Sequence, residues 1–346
     1  MQYKVAVAPY FDSMHLSIDR GRLKEILSRV GKARVLVVGD AMLDEYLAGD
    51  VDRISPEAPV PVVRVRERRY ALGGAANVAE NVVASGATCR LVATVGSDAA
   101  GDRIASMLKE FGIIGTGVLR IDRPTTRKTR IVARSQQMVR VDEEDDSDLS
   151  ATEVARVIAA IEDALPSVDA VILEDYNKGV LVPAVITRTI AGARARGVPV
   201  VVDPKYRHFF AYRGATVFKP NRRELDSALG AEIDVEHPEA VPRAMERLDV
   251  EHLLLTLGER GMMLASRTGP PKSVPTSARE VYDVVGAGDT VTAYLAAVLA
   301  AGGTVEEASV IANYAAGVEV GKLGAATVTP DEIVQAFDHH ATSARA

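Results

Sequence analysis

Apolar runs alternate with longer amphipathic stretches along most of the chain. Continuous apolar runs of strand length predict buried strands at residues 33–39, 88–96, 168–173, 198–202, 215–219 and 251–257. Stretches with the length and periodicity of helices lie among them, at residues 98–112, 151–165 and 183–197. Strands that alternate with helices predict an α/β fold, in which a doubly wound, mostly parallel sheet carries helices on both faces.

Two segments interrupt this alternation. Residues 52–69 contain three prolines followed by valines that alternate with arginines, and residues 125–142 form a second ribbon of this kind. The pattern is typical of half-exposed strands with prolines near a sheet edge, so we expect a small β-sheet flap that projects from the main sheet. The arginines of the two ribbons either form a solvated face or reach an anionic substrate: Arg64, Arg66, Arg130, Arg134 and Arg140.

The expected domain organisation is simple. Residues 32–338 should form one domain, because no linker or internal repeat divides them. Residues 1–31 are amphipathic at best and predict a loosely attached N-terminal extension, with a short helix at 20–30. Residues 339–346 predict a frayed tail.

Composition narrows the function classes. Of the 346 residues 47% are apolar and 25% are charged, which is typical of a globular protein with a sizeable core. The net charge of −6 argues against nucleic-acid binding. The sequence has no run of about 18 apolar residues, no signal-peptide pattern and only one cysteine, Cys89. We therefore expect a cytoplasmic protein without nucleic-acid or membrane partners.

The stretch at residues 280–301 carries the strongest chemical signal. A β-type run ends at Asp283, Gly286 and Gly288 flank Ala287, and Asp289 precedes a long apolar helix. A strand, a tight turn and a helix N-terminus would together form an anion cradle of main-chain N–H groups. A carboxylate at such a cradle suits the removal of a proton from a hydroxyl that attacks phosphorus. The alternative is that Asp289 only caps the helix.

Polar residues follow other predicted strands, at the edge of the sheet where α/β proteins bind ligands. Asn221 and Glu224 lie one helical turn apart and suit a water-coordinated Mg²⁺; alternatively they are a helix cap and a surface glutamate. Thr256, Gly258 and Gly261 belong to a hairpin that suits close contact with a nucleotide, or to an ordinary turn.

A second set of candidate binding residues also follows predicted strands or opens a predicted helix. Asp44 follows the first strand and is placed to hold sugar hydroxyls, and Lys178 and Lys205 follow two later strands, where each either binds a phosphate or stays at the surface. The remaining members open a helix of small residues, which offers backbone N–H groups beside an amide or serves close helix packing: Gly73, Gly74 and Asn77.

Four motifs in this order resemble the PfkB, or ribokinase-like, sugar kinases: G-G-A-A-N-V-A, N-x-x-E, T-L-G-x-x-G and D-V-V-G-A-G-D-T. The resemblance covers nearly all of residues 33–335. More narrowly, I-S-P-E-A-P-V-P-V, D-Y-N-K-G and V-G-K-L-G resemble the D-glycero-β-D-manno-heptose-7-phosphate kinases of that family. The sequence has neither the P-loop motif of nucleotide hydrolases nor the protein-kinase motifs.

The resemblance implies a ribokinase-like fold, a kinase domain at 32–338, and a β-lid made of segments at about 51–70 and 120–142 that often forms a homodimer. It implies ATP-dependent phosphorylation of the C1 hydroxyl of a heptose 7-phosphate, with Mg²⁺ and possible support from a monovalent cation.

Asp289 would be the base, and the N–H groups of Gly286, Ala287 and Gly288 would form the anion hole. The nucleotide and its metal would be bound by Asn221, Glu224 (through water to Mg²⁺), Thr256, Gly258, Gly261 and Asn313. The sugar would be bound by Asp44, Gly73, Gly74 and Asn77, and its phosphate by Lys178 and Lys205.

The chain departs from the family pattern in two respects. Val284 and Val285 replace the usual hydroxyl residue before the cradle, and Tyr294 replaces a small residue in the following helix. There is no H-x-G-H motif of a nucleotidyltransferase domain, so we expect the single-activity form. The alternatives are a kinase of this family for another sugar or a nucleoside, and a sugar- or nucleotide-sensing protein without turnover.

Overall fold

Two β-sheets organise the fold. In this computed structural model the described residues are 15–133, 136–235, 237, 240–278 and 281–343. The strands are β1 Arg34–Gly39, β2 Ala41–Ile54, β3 Pro61–Gly74, β4 Thr88–Gly96, β5 Ile114–Ile121, β6 Arg127–Ala133, β7 Gln136–Glu143, β8 Ala170–Glu174, β9 Val200–Asp203, β10 Val217–Phe218, β11 His252–Thr256, β12 Met262–Ser266 and β13 Lys272–Val274. The helices are α1 Arg20–Val30, α2 Ala75–Ala84, α3 Ala99–Glu110, α4 Ala151–Ala164, α5 Pro183–Arg194, α6 Arg222–Leu229, α7 Ala240–Leu248, α8 Ala287–Ala300, α9 Val305–Glu319 and α10 Pro330–Ser343.

The larger sheet has nine strands in the order β13-β12-β11-β10-β9-β8-β1-β4-β5. Its strand pairs are parallel except those that involve β12, which runs antiparallel to both of its neighbours. One face packs against α1, α2, α3, α8, α9 and α10, and the other against α4, α5, α6 and α7. Both faces are covered, which explains why the central strands are continuous apolar runs. The predicted doubly wound α/β fold is confirmed.

The smaller sheet has four strands in the order β3-β2-β6-β7. Strand β2 leaves directly from the end of β1, and β3 returns to Gly74, the N-cap of α2. Pro61 opens β3, an edge strand, where the missing N–H of proline costs no ladder hydrogen bond. The predicted β-sheet flap is confirmed, and its strands begin closer to the main sheet than the prolines suggested, so that Asp44 lies within β2.

The two ends of the chain differ from expectation. Helix α1 is not a loosely attached extension, because Leu23, Ile26 and Val30 are fully buried in the core against the helical layer. Arg22 also binds Glu307 of α9 with an Nε–Oε1 distance of 2.6 Å. Residues 339–343 continue α10 instead of fraying. Residues 1–14 and 344–346 lie outside the described part of the chain.

The segment before α8 is also not the predicted strand. Residues 281–285 have no strand structure, and Val281, Tyr282 and Val284 are exposed. The N–H groups of Tyr282 and Asp283 donate to the Val320 carbonyl at the end of α9 and not to a neighbouring strand. None of the described helices has the length and apolar character needed to cross a membrane.

Candidate active site

The candidate site begins at the N-terminus of α8, beside the carboxyl ends of β8 and β9. Gly286 has φ +100°, a left-handed conformation that a side chain would strain. A Cβ there would also lie 3.0 Å from Oε1 of Glu319, a buried carboxyl whose pKa burial raises to about 8. A Cβ on Gly288 would lie 3.7 Å from Nζ of Lys219. The surface that the turn before Asp289 presents to the site is therefore made of backbone atoms and not of side chains.

Asp289 is buried, and two donors from other elements hold its carboxylate. The amide Nδ2 of Asn77 donates to Oδ2 at 2.6 Å, and the hydroxyl of Tyr176 donates to Oδ1 at 3.0 Å. Burial raises the pKa of Asp289 to about 6, while the bond from Asn77 opposes that rise. A carboxyl with this pKa is ionised at neutral pH and can still accept a proton. It therefore has the properties of a general base.

Three further charged groups lie beside Asp289 at the ends of neighbouring strands. Carboxylate oxygens of Glu174, Asp203 and Asp289 lie within 4.8 Å of one another. Nζ of Lys219 lies 2.8 Å from Oδ2 of Asp203 in a buried ion pair. Burial, together with the charges of Asp203 and Asp289, raises the pKa of Glu174 well above its usual value. The site thus concentrates negative charge, and the protein's own cations offset only part of that charge.

Asn221 and Glu224 form a capping box at the start of α6. The side chain of Asn221 accepts from the Glu224 N–H at 2.9 Å, and Oε2 of Glu224 accepts from the Asn221 N–H at 2.8 Å. The other oxygen, Oε1, accepts from Nζ of Lys205 at 2.8 Å, and this lysine also lies 3.6 Å from Asp203. The capping alternative for Asn221 is therefore present in the structure, but Glu224 is tied to the carboxylate cluster and is not a free surface group.

Three of the remaining nucleotide-binding candidates lie at or just after the end of β11, and Asn313 lies in α9. Thr256 ends β11 and pairs with Asn221 in an isolated β-bridge. A Cβ on Gly261 would lie 2.2 Å from the Val274 carbonyl, so the close approach of this turn to β13 requires glycine. Gly258 has a left-handed φ of +62° in the same turn. Asn313 uses its amide N–H to hold the Pro275 carbonyl at 2.9 Å.

The sugar-binding candidates lie where the smaller sheet joins the main one. A Cβ on Gly73 would lie 2.9 Å from Oδ2 of Asp44, and one on Gly74 would lie 2.3 Å from the Asp40 carbonyl. Both glycines are therefore needed so that β3 can pass close to β2 and to the end of β1. This close approach of the backbone accounts for the glycines better than helix packing does. Oδ1 of Asp44 accepts from Arg130 of β6 at 2.5 Å. Arg134 lies outside the described residues.

The structure does not bring Lys178 and Lys205 to a shared anion. Lys205 binds Glu224 and lies 5.2 Å from the centre of the Tyr176 ring. Lys178 binds Glu144 at 2.8 Å, and Lys128 of β6 approaches the same carboxylate at 3.1 Å. Lys178 thus shares a carboxylate with Lys128 and not with Lys205.

The departures from the family pattern do not distort the site. Val284 and Val285 are exposed in the loop before the cradle. Tyr294 is fully buried in α8, and its hydroxyl donates to the Val328 carbonyl at 2.6 Å. The larger side chain is therefore accommodated within the core with its polar group satisfied.

Four residues of the cluster were not among the sequence candidates: Glu174, Tyr176, Asp203 and Lys219. Each lies at or just after the carboxyl end of a buried strand, which is the position where an open α/β sheet binds ligands. That rule selects every polar side chain at these strand ends, and not only Lys178, Lys205, Asn221 and Glu224.

Solved structures share this fold. Arabidopsis thaliana ribokinase complexed with ribose and ATP superimposes with a TM-score of 0.69 at 21% sequence identity, covering 88% of this chain and 98% of the other. Escherichia coli phosphofructokinase-2 in complex with potassium superimposes with a TM-score of 0.70 at 19% identity, covering 89% and 98%. At these identities the likeness establishes the ribokinase-like fold alone.

Other relatives are closer in sequence. The bifunctional protein HldE of Pelobacter propionicus is 48% identical over 327 residues, and that of Aeromonas salmonicida 46% identical over 319 residues. The matches cover 92% and 91% of this chain, which spans 66% of the length of each relative. The pattern that defines the pfkB family carbohydrate kinases matches residues 32–332. This chain therefore belongs to the pfkB family and is a sugar kinase.

Proposed function

We propose that this protein uses ATP to phosphorylate the C1 hydroxyl of D-glycero-β-D-manno-heptose 7-phosphate, giving the 1,7-bisphosphate. The observation that carries the phosphoryl-transfer chemistry is the buried Asp289 at the start of α8, held by Asn77 and Tyr176 with its pKa raised to about 6. The choice of heptose rests on the motifs at 54–62, 175–179 and 320–324 and on the similarity to the HldE proteins.

Asp289 would accept the C1 hydroxyl proton as the C1 oxygen forms a bond to the γ-phosphorus. The bond from that phosphorus to the β–γ bridging oxygen breaks, and ADP leaves with this electron pair. The N–H groups of Gly286, Ala287 and Gly288, at the positive end of the α8 dipole, would stabilise the charge on the transferring phosphoryl group. Thr256, Gly258, Gly261 and Asn313 are proposed to line the nucleotide.

The carboxylates of the site fit the Mg²⁺ that such kinases use. Oxygen ligands are those that Mg²⁺ prefers, and neither carboxylate oxygen of the buried Glu174 has a hydrogen-bond partner. Glu174 and Asp203 would offer oxygens directly, and Glu224 through water, since its two oxygens already bind Lys205 and the Asn221 N–H. When bound, the ion would offset the negative charge of the nucleotide phosphates.

A cationic subsite at the root of the lid supports a phosphorylated sugar. Asp44 pairs with Lys128 in the register of β2 and β6, and Arg130 follows two positions later on the same face. This face is directed toward the main domain, because Lys128 and Lys178 share Glu144. Asp44 would hold a sugar hydroxyl, and the cations of the subsite would bind the sugar's phosphate in place of the Glu144 carboxylate.

Lys178→Ala tests this subsite. Loss of a charge-assisted hydrogen bond is worth about 1.5–3 kcal/mol, so we expect KM for heptose 7-phosphate to rise about 10- to 100-fold while KM for the unphosphorylated heptose stays unchanged. Lys109→Ala, which removes an exposed lysine from α3, is the matched control. Steady-state kinetics with both sugars decides the matter, and an equal loss for both would refute the phosphate role.

The pH dependence tests Asp289 and its hydroxyl partner. The raised pKa means that Asp289 becomes protonated as the pH falls through about 6, so kcat/KM should fall below that pH. Tyr176→Phe removes a bond that lowers this pKa and should move the fall to higher pH. Tyr212→Phe removes a similar bond to Asp175 and should leave the profile unchanged. Unshifted profiles for both variants would contradict the assignment of Tyr176.

We further propose a cytoplasmic homodimer that associates through the lid. Six exposed apolar side chains lie on the smaller sheet and its first connection: Ile54, Val60, Val65, Met138, Val139 and Val141. A second copy of the chain would cover this surface and the exposed edges of β3 and β7. Sedimentation velocity measures the oligomeric state, and a monomer at micromolar concentration would contradict the proposal.

The reaction itself is tested by ATP consumption with heptose 7-phosphate, ribose, fructose 6-phosphate and adenosine, and phosphorus NMR locates the new phosphate. A C1 phosphate on the heptose alone supports the proposal. Turnover on another acceptor alone would keep the chemistry and replace the substrate, whereas ATP binding without any turnover would favour a sensing protein. Repeating the assay with potassium and with tetramethylammonium chloride tests for a monovalent-cation requirement.

A further inference from the structure

Asp40 is a buried carboxylate to which the proposed phosphoryl-transfer step gives no part. It follows β1 directly and is 2% exposed. Its oxygens accept three backbone N–H groups from the segment that follows β8. Tyr176 and Lys178 each donate to Oδ2 at 2.9 Å, and Val180 donates to Oδ1 at 3.1 Å. One side chain therefore fixes the backbone of residues 176–180 to the end of β1.

The segment that Asp40 holds needs an acceptor of this kind. Residues 175–182 have neither helical nor strand structure before α5 begins. Asn177 has φ +54° and Gly179 has φ +85°, and a Cβ on Gly179 would collide with the Ser147 carbonyl. Buried N–H groups in such an irregular turn require an acceptor that no strand or helix supplies. The charge and the two oxygens of a carboxylate suit three donors that converge from one turn.

Two side chains of the proposed mechanism start from this segment. The hydroxyl of Tyr176 donates to Oδ1 of Asp289 at 3.0 Å. Nζ of Lys178 binds Glu144 at 2.8 Å, in the cationic subsite proposed for the sugar's phosphate. A shift of the backbone at residues 176–178 would therefore displace a donor to the base and a cation of the subsite together.

The main chain of Asp40 anchors the other donor to the base. Its carbonyl accepts the N–H of Ala75, the first residue of α2, at 3.0 Å. Asn77 follows two residues later and donates to Asp289 at 2.6 Å. Both side chains that donate to Asp289 thus come from elements that are bound to Asp40.

We propose that Asp40 is a positioning residue, which acts through the backbone of residues 176–180 to place the Tyr176 hydroxyl against the base and the Lys178 ammonium in the phosphate subsite. This inference deepens the proposed function, on which the parts of Tyr176 and Lys178 rest. Asp40 itself touches neither the sugar nor the nucleotide in this proposal. Its influence is large because a misplacement of about 1 Å near reacting groups can cost about 10²-fold in rate.

Asp40→Asn provides the test, because asparagine has the same size but only one oxygen. Its NH₂ group must face at least one of the three backbone donors. We expect kcat to fall about tenfold and KM for heptose 7-phosphate to rise about tenfold, while KM for the unphosphorylated heptose stays within about twofold. Asp40→Ala removes all three hydrogen bonds and should have larger effects of the same kind.

Asp169→Ala is the matched control. Asp169 also accepts a backbone N–H, from Arg34 at 3.0 Å, but it precedes β8 at the opposite end of the sheet. This variant should leave kcat and both KM values unchanged. A loss of activity in Asp40→Asn that raises KM for both sugars equally would mean that Asp40 only supports the fold.

A double-mutant cycle shows whether Asp40 acts through Lys178. If it does, Lys178→Ala should raise KM for heptose 7-phosphate by a smaller factor in the Asp40→Asn protein than in the wild-type protein. In the Asp169→Ala protein the factor should equal that of the wild-type protein. Independent effects of Asp40→Asn and Lys178→Ala, which multiply, would overturn the proposed route.

Hydrogen–deuterium exchange provides a readout without any substrate. In Asp40→Asn the amides of residues 176–180 should exchange about tenfold faster or more, while those of β8 and α8 keep their protection. Unchanged exchange at residues 176–180 would refute the positioning role. If Lys178→Ala alone leaves KM unchanged, the phosphate subsite fails, whereas the exchange experiment still decides the role of Asp40, so the two failures are distinguishable.

Discussion

Asp289→Asn is expected to lower kcat by about 10²- to 10⁴-fold, the usual contribution of a positioned general base. The amide is similar in size but cannot accept the proton of the sugar hydroxyl at neutral pH. The backbone conformation of Gly286 and the helix N-terminus that form the anion cradle do not depend on this side chain. Steady-state kinetics with ATP and the preferred sugar measures the loss.

Two controls separate loss of the base from loss of the fold or of nucleotide binding. The Kd for ATP, measured by calorimetry, should change by less than about threefold. The Tm should not fall, because the substitution removes a buried charge whose pKa burial had raised. Full kinase activity of Asp289→Asn would mean that another group removes the proton, and it would leave Asp289 as a helix-terminal residue only.

Lys219→Met is expected to have the largest effect on stability. Lys219 is buried, and its Nζ lies 2.8 Å from Oδ2 of Asp203. Breaking a buried ion pair by removing one partner costs about 3–5 kcal/mol, because the other charge remains buried without compensation. Here Asp203 would keep only the longer contact with Lys205, and Glu174 would lose a nearby positive charge. Urea unfolding in EDTA measures the change in the free energy of unfolding.

A double variant shows whether the cost arises from the carboxylate cluster. Lys219→Met combined with Glu174→Gln should recover part of the lost stability, since one of the uncompensated acids becomes neutral. Additive losses would mean that Lys219 acts through its packing and not through the charges of the cluster. Saturating Mg²⁺ should reduce the deficit of the single variant, because an ion bound to the folded state alone stabilises it.

The alternation of buried strands and helices could be predicted from the local sequence, because burial on both faces of the sheet requires apolar residues. Strands β1, β4 and β8 are covered on both faces, so the chain needs continuous apolar runs there, and runs of this kind are conspicuous. The capping box of Asn221 and Glu224 was also recognisable, because its hydrogen bonds join residues three apart. The short edge strand β13 buries less and leaves a weaker pattern.

The β-type run before Gly286 shows the limit of local patterns. Its side chains favour a strand, but its N–H groups at Tyr282 and Asp283 are taken by the carbonyl of Val320, some forty residues later in the chain. Helix α1 shows the reverse case. Its modest periodicity suggested a loose extension, whereas the covering of Leu23 and Ile26 by α8 and α10 makes it part of the core.

The sequence by itself determined the fold class, the family and the identity of Asp289 as the candidate base, because these depend on local periodicity and on motifs that are continuous in the chain. Only the tertiary structure decided that Glu174, Asp203 and Lys219 surround that base, and that Lys205 binds Glu224 while Lys178 and Lys128 converge on Glu144. These groups come from different strands and are neighbours through sheet order, which long-range hydrogen bonding and packing set. The net charge of the site therefore depends on the order of the strands in the assembled sheet, whereas the chemical type of each side chain is given by the sequence.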